Sequence, residues 1–194
     1  MIMKKISIVT ACYNEEENVG ALYKEVKSIM SKSLKNYSYE HLFIDNCSGD
    51  KTVDILRKIA KEDKNVKVIV NSRNFGHVRS PVYGLLQANG DAIISLVADF
   101  QDPPELIVDL VKKWEEGFEN IYMIVEKRST SNFLRRVNSK LFYLIADRLT
   151  GGLIPKDVSD FRLVDRKVYE TVRTMEERNR FVRGLFAWVG FRSI

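Results

Sequence analysis

The sequence predicts an α/β fold: a mostly parallel β-sheet with helices on both faces, built by a single domain spanning residues 1–194. Two observations carry this. Short apolar runs recur along the chain, "ISIVTAC" at 6–12, "HLFID" at 41–45, "VKVIV" at 66–70, "AIISLVA" at 92–98 and "IYMIV" at 121–125. Most are rich in Val and Ile, as strands buried on both faces are. Helical patterns lie between them. Val19, Leu22, Tyr23, Val26, Ile29 and Met30 follow the spacing of one helix face, and Val53, Leu56, Ile59 and Ala60 repeat it behind Thr52, an expected N-cap. Leu106, Leu110, Val111 and Trp114 do so again behind Pro103 and Pro104, which a helix start tolerates. Strand and helix in alternation make a parallel sheet covered on both sides.

Composition narrows the function classes. The chain is 45% hydrophobic and 29% charged, with a net charge of +5, a balance that suits a phosphorylated ligand, nucleic acid or an anionic membrane surface. No run reaches the ~18 apolar residues of a membrane helix. Cys12 and Cys47 are too few for a disulfide framework and show no metal-ligand spacing, so reduced, separate thiols are expected. If the first two strands are neighbours, however, both thiols reach the same edge. A Cα separation above ~7 Å would exclude a bridge.

In parallel sheets ligands bind outside the carboxyl ends of the strands. Three runs deliver acids there: Asn14 to Glu17 after the first, Asp45 at the end of the second, Asp99 and Asp102 after the fourth. Turns favour such residues by themselves, but their convergence on one edge favours a site. The sequence contains no GxxxxGK[ST] and no GxGxxG cradle. An acidic edge accepts a phosphorylated ligand only through a divalent cation, and Mg²⁺ is satisfied by one or two carboxylates plus phosphate oxygens and water. Asp99 with Gln101 meets that demand loosely. The acidic edge and the absence of a basic-aromatic RNA motif argue against nucleic acid as a partner.

Read together, "YNEEEN", "FIDNCSGDKT", "NSRNFGH", "ANGDAIISLVADFQDPPE", "NSKLFY", "SDFRLVDRKV" and "RFVRGLFAWVGF" resemble family 2 glycosyltransferases of the GT-A fold, a Rossmann-like α/β architecture. The similarity runs over essentially the whole chain and is nearest to the dolichol-phosphate mannosyltransferase and bactoprenol-phosphate glucosyltransferase branch. It implies an inverting transferase taking a hexose from a nucleotide-sugar, of UDP-glucose or GDP-mannose type, with Mg²⁺ or Mn²⁺. The implied acceptor is a polyprenyl-phosphate lipid at the cytoplasmic face of the membrane. Members of that branch continue into C-terminal membrane helices, which are absent here. A monomer and a homo-oligomer are both compatible with the sequence.

The resemblance also implies residue roles. Tyr13, Glu15, Asp45 and Ala98 fall at the donor, with Asp45 accepting from the base. Asp99, the last acid of the DxD motif, and Gln101 fall at the metal. Asp160 and Arg162, in "DFR", face the reacting centre. Arg128, Arg135 and Ser139 match acceptor-phosphate positions, and Arg180 and Arg183 a segment near the donor diphosphate. Against that pattern, Val97 replaces the first DxD acid, Ala11 a proline, Asn46 and Cys47 an Asp and a Gly, and Ser159 a glycine. "VRSPVYGL" puts Pro81 in the first turn of a helix. The loss at Val97 weakens a cation site and leaves open a second reading, a nucleotide-sugar-binding or protein-binding relative with reduced catalysis.

Several segments admit more than one role. "FLRRVNSKLFYLIADRL" reads as an amphipathic helix with Arg135 and Ser139 on one face, and "RLVDRKV" as a helix that Asp160 could cap. Residues 181–191 suit either a membrane-surface helix with Phe181, Leu185, Phe186 and Trp188 inward, or a core helix. His77 is a donor contact or a plain surface residue, and His41 is structural.

Overall fold

The computed structural model describes residues 3–124, 148, 158–177 and 182–194, the last segment with side chains from 184 onward. The apolar runs form strands β1 (Lys5–Cys12), β2 (Ser38–Asp45), β3 (Val66–Val70), β4 (Ala92–Val97) and β5 (Asn120–Ile124). A sixth, β6 (Val158–Asp165), completes one sheet in the order β3-β2-β1-β4-β6-β5. The first four strands pair in parallel, while β6 runs antiparallel to both β4 and β5.

Alternation along the strands divides the core into two layers. Ile6 and Ile8 of β1, Ile94 and Leu96 of β4, and Phe161 and Leu163 of β6 face α1 (Val19–Lys32), α2 (Thr52–Glu62) and α4 (Ile107–Glu115). Val9, Leu42, Ile93 and Val164 face α3 (Gly76–Gln87), α5 (Arg166–Arg173) and α6 (Val182–Trp188). The α3 helix lies so close that a Cβ on Gly84 would come within 2.9 Å of the Ile44 side chain. Gly90, entering β4, has less room: a Cβ there would lie 2.6 Å from the Ser7 backbone nitrogen and 2.7 Å from the Ala92 carbonyl.

Three local expectations are corrected, and a fourth, left open between two readings, is decided. Thr52 does not cap α2 with its own side chain. Asp50 Oδ1 accepts from both the Thr52 N–H and its hydroxyl, because a carboxylate two residues upstream reaches both donors. Pro81 lies inside α3 rather than in its first turn, since the helix already begins at Gly76; it withholds the N–H that the His77 carbonyl would accept. Residues 160–165 are strand rather than helix, and Asp165, not Asp160, caps α5 by accepting from the Lys167 N–H at 2.9 Å. Finally, α6 packs into the domain: Phe186 is buried against Val168, Tyr169 and Val172, while Trp188 is 67% exposed. Beyond α6, Ser193 bridges Asn120 in parallel and extends the sheet past β5. No helix among the described residues is long and apolar enough to cross a membrane.

Two buried polar groups shape the sheet interior. Glu40 accepts hydrogen bonds from the Ser7 hydroxyl at 2.6 Å, Lys67 at 2.7 Å, Lys5 at 3.0 Å and the Asn89 N–H at 3.1 Å. Burial opposes its charge, but these donors outweigh burial and hold its carboxyl at about 2. His41, 1% exposed, shares a hydrogen bond with the Thr10 hydroxyl through Nε2 and stacks on Phe43, leaving Nδ1 without a partner. Burial drives its pKa down to about 3, against a smaller opposing pull from Asp63.

Candidate active site

Strand register assembles the site. Cys12 pairs with Asp45 and Ala11 with Val97, so β2, β1 and β4 end side by side. Antiparallel β6 arrives at that edge with its amino end: Ser95 pairs with Arg162, placing Asp160 two residues nearer the edge. Tyr13, Asp45, Ala98, Asp99 and Asp160 are thereby delivered to one margin of the sheet, Tyr13, Asp99 and Asp160 exposed and Ala98 and Asp45 buried.

The turn after β4 is built by Asp99, whose Oδ1 accepts the Gln101 N–H at 3.1 Å, and by Phe100 at a φ of 56°. Half-buried Asp102 folds back onto β6, its two carboxylate oxygens accepting the Ser159 hydroxyl at 3.1 and 2.9 Å. Ser159 in turn accepts the Phe161 N–H at 3.1 Å. Burial raises the Asp102 carboxyl, the Ser159 hydroxyl lowers it, and the charges of Asp99 and Asp160 raise it further. The charges of Asp99 and Asp160, from the ends of two strands, thus both reach Asp102.

Oxygen donors on a solvent-facing turn and an excess of negative charge fit a hard divalent cation, with Asp99 and the Gln101 side chain as the residues that would hold it. Val97 ends β4 without adding a carboxylate. Among the described residues, no group of three or more His, Cys, Asp or Glu side chains is arranged to hold a metal ion.

On the β2 side, Asp45 is fully buried, and its oxygens accept the N–H and hydroxyl of Ser48. The loops after β1 and β2 are laced together: Ser48 accepts from Asn14 N–H, Asn14 from Gly49 N–H, Thr52 from Glu15 N–H and Asp50 from Glu16 N–H. Glu15 turns its carboxylate to Asn18 at the start of α1. Next along the edge, the Arg73 guanidinium lies 4.4 Å over the exposed Phe75 ring. His77 is exposed one residue into α3.

Arg162 is buried rather than projecting from the edge. It donates to the Ser159 carbonyl at 3.4 Å and lies 5.4 Å over the Phe186 ring. Both thiols are free. Cys12 is buried, with its Sγ donating to the Ile44 carbonyl at 3.6 Å; burial, then the charges of Asp45, Glu15 and Asp50, pushes its pKa upward. Cys47 is exposed at a φ of 67°. Arg128, Arg135, Ser139 and Arg180, and the helix expected over 133–149 apart from Arg148, lie outside the described residues. So does the Arg183 side chain. Sequence reasoning missed the Asp102–Ser159 pair and the bonds of Asn46, although both Ser159 and Asn46 stood out as departures from the family pattern.

Comparison with known proteins accords with this geometry. A Bacillus subtilis protein described as an uncharacterized glycosyltransferase is 42% identical over 96% of this chain and 57% of its own length. The prophage bactoprenol glucosyl transferase homolog of Escherichia coli is 38% identical over 97% of this chain and 61% of its own. The chain thus spans about three fifths of these relatives. Among solved structures, S. aureus TarS 1–349 matches with a TM-score of 0.62 at 16% identity, covering 97% of this chain and 57% of that one. A Pyrobaculum calidifontis mannosyltransferase in complex with GDP-Man and Mn²⁺ matches with 0.61 at 13%, covering 100% and 55%. At such identities these two establish the GT-A fold alone. The "Glycosyl transferase family 2" model matches residues 7–173, and the chain belongs to that family of glycosyltransferases.

Proposed function

We propose that the chain is the catalytic domain of an inverting transferase that moves a hexose from a nucleotide-sugar to a polyprenyl phosphate at the membrane surface. The observation that carries this reading is the convergence of Asp99, Asp102 and Asp160 on the edge that also receives Tyr13 and Asp45. The relatives named for bactoprenol glucosyl transfer support the acceptor class and favour UDP-glucose over GDP-mannose as donor.

Asp99 and Gln101 would hold Mg²⁺ or Mn²⁺, which when bound supplies positive charge for a departing nucleoside diphosphate. Arg180 and Arg183 belong to the same task from the C-terminal segment, and Arg128, Arg135 and Ser139 to gripping the acceptor phosphate. A phosphate acceptor is already largely ionised near neutrality, its second pKa being about 6. A strong base is then unnecessary, and exposed Asp160 orients the acceptor or shares the metal, acting as a base only if the acceptor is a hydroxyl.

The test uses full-length protein in membranes with polyprenyl phosphate and labelled UDP-glucose or GDP-mannose, with Mn²⁺ or with chelator. Label entering the lipid fraction only with metal is expected; no transfer from either donor overturns the reading. Val97 favours a second reading, donor binding without turnover, and in the same assay saturable binding of donor with no labelled lipid would support it.

A further inference from the structure

Asn46 stands where the family pattern carries an aspartate, and its buried amide has four partners. Oδ1 accepts the Phe75 N–H at 2.9 Å and Asn71 Nδ2 at 3.2 Å. Nδ2 donates to Asn74 Oδ1 at 2.9 Å and to the Gly76 carbonyl at 3.4 Å. The Phe75 N–H can only donate and the Gly76 carbonyl can only accept, so position 46 needs a donor and an acceptor at once. The backbone anchors the same point: Asn46 N–H donates to the Cys12 carbonyl and Asn71 N–H to the Asp45 carbonyl, both at 2.9 Å. One side chain therefore fastens the loop 71–76 to the end of β2. That loop carries the stacked Arg73–Phe75 pair and leads into His77 at the start of α3.

We propose that Asn46 is a positioning residue for the donor site, holding the 71–76 loop, with Arg73 and Phe75, as the wall of that site on its β3 side. The inference rests on the transferase reading above. A carboxylate at position 46 keeps the two accepted bonds but cannot donate. It leaves Asn74 Oδ1 and the Gly76 carbonyl facing negative charge, so the 74–76 end of the loop is held less firmly, by the accepted bonds and the backbone anchors alone.

The experiment compares donor kinetics of full-length wild type and Asn46→Asp with UDP-glucose and Mn²⁺. The expected result is a donor KM raised about tenfold with kcat within about twofold, the pattern of lost ground-state and transition-state binding together. Lowering the pH should shrink the KM defect, because a protonated carboxyl regains a donor; a merely damaged fold would not recover in acid. Should Asn46→Asp fail to fold, Asn74→Ala, at an exposed position, removes one of the donated bonds and is expected to raise KM about threefold. Donor KM within twofold of wild type in the folded variants overturns the inference while leaving the transferase reading intact. Absence of wild-type transfer overturns both.

Discussion

His41 makes the stability of this domain depend on pH in a window where few other groups contribute. In the folded chain it stays neutral down to about 3, whereas an unfolded histidine titrates near 6.5. Between those values the unfolded state binds one more proton, so stability is lost as pH falls, at about 1.4 kcal/mol per pH unit once well below 6.5. Integrated from pH 7 to pH 5 the loss is roughly 2 kcal/mol, equivalent to a Tm drop of ~4–8 °C for a domain of this size. Glu40 and Asp63, whose folded pKa values are depressed, act in the same direction but only below their unfolded values of 4.5 and 3.8. Asp102, whose carboxyl is raised, acts in the opposite direction but is common to wild type and variant, so the difference between them from pH 7 to 5 isolates His41. The assay is urea unfolding of wild type and His41→Phe at pH 7, 6 and 5. Phe retains the stacking on Phe43 and removes the titration. The wild type should lose about 2 kcal/mol more than the variant over that interval. Equal losses in both would refute the claim that a buried, half-partnered imidazole sets the slope.

Three further outcomes are expected. Gly90→Ala should cost about 1–3 kcal/mol, because the new methyl meets backbone at Ser7 and Ala92 that cannot step aside; an unchanged melting curve would contradict that geometry. A thiol reagent at neutral pH should titrate Cys47 rapidly in the native chain and Cys12 only after unfolding, and fast release of two equivalents from folded protein would disprove the burial of Cys12. Val97→Asp should tighten Mn²⁺ binding by about tenfold in calorimetry by adding a carboxylate beside Asp99; no change would mean that the end of β4 does not face the ion.

Much of the fold was legible because its determinants are local. The apolar runs of β1 to β5 and the spacings of α1, α2 and α4 lie within single segments, and burial on both faces explains their Val and Ile content. β6 was hidden because "SDFRLVD" lacks the continuous Val and Ile content of the other strands and carries Asp160, Arg162 and Asp165 straight into the following helix. Its place beside β4 is earned by Phe161 and Leu163 packing on one face and Val164 on the other. The acidic edge was legible for a related reason: a parallel sheet must present its turns on one side, and the turns carried the acids.

What the sequence determined by itself was therefore the layered architecture, the edge on which the acids gather, and a family resemblance strong enough to name the reaction class. Tertiary structure alone decided which side chains on that edge are held by others. Asp102 is fastened by Ser159, Asp45 by Ser48, and the 71–76 loop by Asn46, while Arg162 is turned inward over Phe186. Most of these partners are far apart along the chain. Their pairing depends on strand register and loop closure, since a hydrogen bond is specific only once both groups have been brought within about 3 Å by the rest of the fold.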